Sequence, residues 1–267
     1  YHFQRCDFWE LNCAKRSNQV PRLDRHLSEQ LNIKRSDVRL LLAQGRVQVD
    51  GKPATDANKV ITRFSEVKFD GKKTLANTAR YQMLHKPVGV VSATADDKHR
   101  TVIELLEHSW RNQLHIVGRL DFNTTGLVLL TNDGRWSRGV SSPQKGVVKT
   151  YRVQLEQPFR SDYREAFAAG LYFAFENITT RPAEIRRLSD FEVEVDLVEG
   201  RYHQIKRMFG YFNNRVLNLH RLSVGALSLD PKLPQGAWRE LTLSELNALG
   251  VEHCYREVLP SGSDCPA

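Results

Sequence analysis

Within Gly118-Arg119-Leu120-Asp121-Phe122-Asn123-Thr124-Thr125-Gly126 a single aspartate stands among an arginine, two threonines and two glycines, between two apolar runs. A carboxylate lifted on a loop from core strands is placed like a reactive group on a rigid scaffold, and nucleophilic attack is the chemistry it offers without a cofactor. Read alone, the loop is first an ordinary turn in which Asp121 and the threonines bond nearby backbone N–H groups. A second reactive cluster is Glu199-Gly200-Arg201-Tyr202-His203-Gln204-Ile205-Lys206-Arg207-Met208. By spacing alone Lys206 belongs to a solvated helix face beside Arg207, and Tyr151 to an ordinary strand. His203 is a candidate general base. The chain has no H-E-x-x-H, no Walker A loop and no G-x-G-x-x-G, and no second acid has motif support as partner to Asp121 for a glycosidase pair.

The elements that must hold these residues are legible as pattern. Residues 114–117 and 127–131 read as buried strands around the Asp121 loop, the second closed by the turn Asn132-Asp133-Gly134. Tyr81 to Gly89 reads as a strand ended by the Lys86-Pro87 turn. Thr101 and Glu104 have capping-box spacing. Tyr151, Val153 and Leu155 alternate, as do Phe191, Val193, Val195 and Leu197. Helices are expected over 161–169, stopped by Gly170, over 203–212, and after Ser244 as a cap. Gly118, Gly126 and Gly200 are expected at tight turns or close backbone approaches. Strands with interspersed helices but no regular β-α-β rhythm predict an α+β fold with a mixed, largely antiparallel sheet flanked by helices.

Charge divides the chain. Of a net +8 over 267 residues, 1–79 carry 15 Lys and Arg against 9 Asp and Glu, and 80–267 carry 24 against 22. A small basic front module on a nearly balanced body suggests docking to a polyanion. In that module Leu23, Leu27 and Leu31 recur at helical spacing, Ser36 is placed to cap a second helix that Gly45 ends, and Val47 and Val49 run into the Asp50-Gly51 turn. Lys34, Arg35, Arg39, Arg46 and Lys52 crowd the second helix and the hairpin and are the candidate docking cations. The expected boundaries are a flexible leader over 1–21, the basic module over 22–70, a polar linker over 71–79, the body over 80–252 and a tail over 253–267. No stretch approaches a membrane span. Cys6, Cys13, Cys254 and Cys265 never form C-x-x-C, which argues against zinc and for a reducing, cytoplasmic setting.

Arg22-Leu23-Asp24, the Ser36 helix and Gly45-Arg46-Val47-Gln48-Val49-Asp50-Gly51-Lys52 make the front module resemble the S4 RNA-binding domain. Lys86-Pro87-x-Gly89, the Gly118 to Leu127 run, Lys149-Thr150-Tyr151 and the Glu199 to Met208 run, in that order, make the chain from about 22 to 250 resemble the RsuA-like ribosomal RNA pseudouridine synthases. The resemblance implies an S4-like domain of two helices plus a hairpin, followed by a pseudouridine synthase domain. It implies that Asp121 is the nucleophile, Lys206 its counter-charge and Tyr151 the platform on which a flipped-out uracil stacks, with Ile205 as the apolar wall. Arg119, Arg201, His203, Gln204 and Lys86 are then further substrate-binding candidates. A uridine in folded RNA must leave its stack to react, and whether Asp121 attacks the ribose or the ring stays open. No metal or cofactor is implied. The implied partner is ribosomal RNA or a pre-ribosomal small-subunit particle, with the protein a monomer. Arg201 to Phe209 looks most like members acting on 16S RNA. The alternatives are the same chemistry on large-subunit RNA or tRNA, or an RNA-binding assembly factor without catalysis.

Overall fold

The computed structural model describes residues 22–75 and 78–254. The expected leader, residues 255–267 of the expected tail, and Cys6, Cys13 and Cys265 lie outside them. The chain divides into two units, Tyr1–Thr78 and Ala79–Ala267.

The first unit builds its core from the apolar positions of two short helices and a small sheet. Helices α1 (Leu23–Leu31) and α2 (Arg35–Ala43) turn Leu23, Leu27, Val38 and Leu42 inward against Val47, Val49, Ile61 and Val67. Ser36 does not cap α2: Lys34 stands at the cap position, and the Ser36 hydroxyl donates to Asp37 within the first turn. Strands β1 (Val47–Val49), β2 (Lys52–Pro53), β3 (Val67–Phe69) and β4 (Lys72–Leu75) form one sheet in the order β2-β1-β3-β4. Asp50-Gly51 and Asp70-Gly71 both have positive φ at both residues, the backbone that two-residue hairpins require. The second turn corrects the expected linker over 71–79, because residues 72–75 return as an edge strand on β3. Lysines on an exposed edge carry no alternation, so that strand looks like linker in sequence.

The second unit is one nine-stranded sheet with helices on both faces. It comprises β5 (Tyr81–Lys86), β6 (His115–Val117), β7 (Thr125–Thr131), α3 (Gly134–Ser141), β8 (Lys149–Leu155), α4 (Asp162–Ala169), the hairpin β9 (Tyr172–Phe173) and β10 (Ile178–Thr179), β11 (Glu184–Arg187), β12 (Glu192–Leu197), α5 (Gln204–Gly210), β13 (Val216–Val224), β14 (Leu227–Ser228), β15 (Trp238–Glu240) and α6 (Leu243–Ala248). The sheet order is β11-β12-β8-β13-β7-β5-β15, with β14 on β13 and β6 on β7; β9 and β10 pair separately. Every pairing in it is antiparallel except β13 with β7. The fold is therefore α+β with a mixed, largely antiparallel sheet.

Strand β7 is buried along its whole length. Val128 and Leu130 face one core with α4 and α5, while Leu127 and Leu129 face the other with Trp136 and Leu246. Burial on both faces explains its continuous apolar run. On the first face Tyr163 and Phe167 of α4 pack on Phe209 of α5, with ring centroids 5.5 and 5.0 Å apart.

Two capping expectations are corrected. Thr101 and Glu104 make both reciprocal bonds, each 3.3 Å, but close a turn and no helix follows. Thr242, not Ser244, caps α6, in a capping box with Glu245. Asn132-Asp133-Gly134 is a turn that also starts a helix, for Asp133 accepts from the N–H groups of Arg135 and Trp136 and begins α3.

Candidate active site

One row of paired residues crosses four strands: Lys86 on β5 opposite Gly126 on β7, Gly126 opposite Arg221 on β13, and Arg221 opposite Tyr151 on β8. The pairing works because Gly126 has no side chain. A Cβ there would lie 2.3 Å from the Arg221 carbonyl oxygen, and its φ of +109° suits glycine. This close approach lets β13 run parallel beside β7 and brings two buried cations under the Asp121 loop.

Those cations hold the loop by its backbone. The Arg221 guanidinium is almost wholly buried, donating from Nη2 to the Gly118 carbonyl and from Nε to that of Leu127, each at 2.7 Å. The Lys86 ammonium is fully buried and donates to the carbonyls of Pro87 (2.9 Å), Phe122 (3.2 Å) and Thr124 (2.8 Å). Burial pushes the Lys86 pKa down to about 8, against the opposing pull of the Asp121 charge. Ser92 accepts from the Leu120 N–H, and Gly89 donates to the Phe122 carbonyl. Residues 118, 120, 122 and 124 are thus each anchored through the main chain. Between them, Arg119 and Asp121 line one pocket, and Asn123 lines a neighbouring cleft.

The partners of Asp121 come from α5. Ile205, Met208 and Phe209 bury one face of this helix and fix its rotation. Lys206 then stands with Nζ 3.8 Å from Asp121 Oδ2, while Arg207, about 100° further round, pairs with Glu176 and lies over the Phe173 ring. At the start of the helix His203 adopts left-handed backbone (φ 48°, ψ 33°). Its Nε2 lies 3.5 Å from the same carboxylate oxygen, and its ring stacks on that of Tyr202 at 3.9 Å. The Asp121 side chain is 32% exposed. Tyr151 and Ile205 are both buried in the wall of the pocket, which measures about 80 Å³. Thr124 also lines it, with a buried hydroxyl that has no hydrogen-bond partner among the described residues.

The structure therefore gathers Asp121, Tyr151, Ile205, His203, Arg201 and Arg119 around one pocket, with Lys206 paired to Asp121 from the border of the neighbouring cleft. One substrate-binding expectation is corrected: Lys86 is sealed beneath the loop with its protons directed at carbonyls, so it positions Asp121 rather than touching substrate. Gln204 lines the pocket, and its amide also donates to buried Glu199 and accepts from the Arg201 N–H, fixing the turn before α5. Glu199 further accepts from Arg201 Nε at 3.0 Å. Gly200 has neither positive φ nor a close neighbour, contrary to expectation, whereas Gly118 has φ +75° beneath the Arg221 guanidinium. Arg221 was missed. The only hint in the sequence is an arginine in the alternating run Val216 to Val224, where a fully buried cation is unexpected.

In the first unit Lys34, Arg35, Arg39 and Lys52 are exposed, with no hydrogen-bond or ion-pair partner among the described residues. Arg46 differs: its guanidinium pairs with Asp70, donating from Nε at 2.8 Å, and stacks over Phe69. It braces the sheet of that unit while its side chain stays exposed.

Residues 80–211 match the family described as RNA pseudouridylate synthase, and residues 21–67 match the S4 domain. The chain is 48% identical over 226 residues to a ribosomal small subunit pseudouridine synthase A of Pseudomonas aeruginosa, covering 84% of this chain and 98% of that protein. It is 39% identical to the protein of the same name from Escherichia coli, covering 84% and 98%. A solved structure described as a pseudouridylate synthase superposes with a TM-score of 0.63 at 37% identity, covering 85% of this chain and 99% of that one.

Proposed function

The chain belongs to the RNA pseudouridylate synthase family, with an S4 domain in front, and on that premise we propose that it isomerises one uridine of small-subunit (16S) ribosomal RNA through Asp121. The isomerisation breaks the bond from ribose to N1, makes the bond from ribose to C5, moves a proton off C5 and returns one to N1. A carboxylate nucleophile serves whether it attacks the ribose or the ring, and neither route consumes a cofactor.

The observation that carries the role of Asp121 is its setting. The loop backbone is anchored on both sides of it by buried cations, leaving the carboxylate free with Lys206 and His203 at 3.8 and 3.5 Å from one oxygen. The Lys206 ammonium attracts the carboxylate directly and holds its orientation. Tyr151 and Ile205 supply the flat and apolar surfaces against which a flipped base stacks, an interaction of about 1–3 kcal/mol. The exposed cations of the first unit grip the RNA backbone and position the enzyme without reading sequence. A ribosomal RNA substrate accords with a cytoplasmic enzyme. Among the described residues no helix is long and apolar enough to cross a membrane.

The test is to map pseudouridines in ribosomal RNA from cells lacking the protein, complemented with wild type or Asp121→Asn. The expected result is loss of one small-subunit pseudouridine, restored by wild type alone. Restoration by Asp121→Asn removes Asp121 as nucleophile, and loss of a large-subunit mark instead removes the small-subunit assignment.

A further inference from the structure

Beside the Asp121 pocket lies a second, larger hollow, a cleft of about 530 Å³ between the end of α5 and the start of β13. Lys206 borders it on one side and faces Asp121 on the other, and Leu219 lines both spaces. The cleft therefore adjoins the pocket across a shared Leu219 wall, and its volume lies within the roughly 300–1,000 Å³ of ligand sites.

Its lining is built, and part of it is unused by the protein. Asn214 at its base is fixed by bonds to Gln157 and to the Tyr163 hydroxyl, which makes the floor rigid. Above that floor the side chains of Asn123, Asn213 and Arg215 are exposed and have no partner among the described residues. Asn123 is the outward residue of the anchored loop, two positions from Asp121. Asn213 is held in left-handed backbone at φ 55°, and the Arg215 carbonyl accepts from the Glu156 N–H. A register irregularity between Val216 and Asn218 turns Leu217 outward, leaving this large apolar side chain 52% exposed at the rim. One cation, two amides and one apolar shelf match the parts of a nucleotide: phosphate, base edges and base face.

We propose that this cleft is the subsite for the nucleotide adjoining the target uridine, with its phosphate on Arg215, its base face on Leu217 and its edges read by Asn123 and Asn213. The inference rests on the pseudouridine synthase reading and deepens it: the enzyme holds a dinucleotide, one base in the Asp121 pocket and its neighbour here. The amides make the nucleotide at that neighbouring position a determinant of which uridine is chosen.

The test uses the full chain and small-subunit ribosomal RNA. Arg215→Gln is expected to weaken binding about 5- to 10-fold and to lower the salt slope by about 0.7, the value for one single-strand phosphate contact. Gly210→Leu fills the cleft from a helix end where a Cβ meets nothing within 4 Å. It is expected to weaken binding at least as much, with an unchanged unfolding midpoint. Phosphate-ethylation interference then locates the contact. One phosphate whose ethylation blocks wild type becomes indifferent in Arg215→Gln, and it adjoins the uridine that the enzyme isomerises. Wild-type affinity in both variants overturns the proposal, as does an interference site lost elsewhere in the RNA. If the RNA binds but no pseudouridine forms, the functional reading fails, while the loss or survival of a single interference site still decides whether Arg215 holds a phosphate.

Discussion

As the proposed nucleophile, Asp121 shows how little of a catalytic residue resides in the residue itself. The proposed role follows from a loop backbone held by buried cations and from the Lys206 ammonium that α5 sets beside it. Asp121→Asn is therefore expected to lower single-turnover isomerisation by on the order of 10⁴-fold or more, with RNA affinity within a few-fold of wild type in a filter-binding assay. Lys206→Met is expected to reduce the single-turnover rate about 100-fold, again with little change in affinity; an unaltered rate would remove its role as counter-charge. Lys86 makes a pH-dependent prediction. Its folded pKa of about 8 lies below the ordinary lysine value of 10.5. Between those two pH values the unfolded chain keeps a proton that the folded chain has released. The penalty of burying the charge is full below pH 8 and is relieved as pH rises. The stability of wild type relative to Lys86→Met, from urea unfolding, should therefore increase between pH 8 and 10, and a difference that stays flat or declines refutes the assignment.

At the scale of elements, the site depends on one parallel junction in an otherwise antiparallel sheet. Gly126 permits it, and Arg221 converts it into a support for the loop above. A methyl group at position 126 collides with backbone at 2.3 Å and forces a left-handed φ on a side chain. Gly126→Ala is accordingly expected to cost about 3 kcal/mol or more, read from chemical unfolding. Gly200→Ala, in open space with ordinary backbone, is the control and should cost less than about 1 kcal/mol. Similar losses in the two variants would show that the β7–β13 approach is not the constraint. Helix α5 makes the same point about rotation: Lys206 and Arg207 are adjacent in sequence, yet only burial of Ile205, Met208 and Phe209 decides which of them meets Asp121 and which meets Glu176.

For the whole molecule, the charge asymmetry assigns the units different tasks. Lys34, Arg35, Arg39 and Lys52 are exposed and hold no hydrogen bond or ion pair among the described residues, whereas the pocket unit uses its buried cations internally. Replacing Lys34, Arg35 and Arg39 together by Gln in the full chain should flatten the dependence of log affinity on log salt by about 2–3, each phosphate contact contributing roughly 0.7–0.9. The rate at saturating RNA should stay unchanged. A slope equal to that of wild type would refute docking through this face. Arg46→Gln should act differently, lowering the stability of the first unit through loss of its pairing with Asp70 rather than changing the slope.

Residue pattern by itself determined the two-part organisation, the α+β class and the neighbourhood of the site. Hydrophobic alternation, turn residues and charge are local properties that the chain displays without folding. The motif runs around Lys86, Asp121, Tyr151 and Lys206 were likewise visible, and their order carried the family resemblance. What only the tertiary structure decided is what each cation does. Lys86 turned from a substrate contact into a loop anchor, Arg46 into a brace, and Arg221 emerged from an unremarked strand, because a lysine or arginine reads the same in sequence whether its charge meets solvent, a carboxylate or a buried carbonyl. The edge strand over 72–75 and the Thr242 cap escaped for a related reason: pairing partners and cap geometry are set by neighbours in space. The Asp121 loop is a turn by its residues alone, and it becomes a site because a parallel strand pairing places two buried cations beneath it and a third, on α5, beside it.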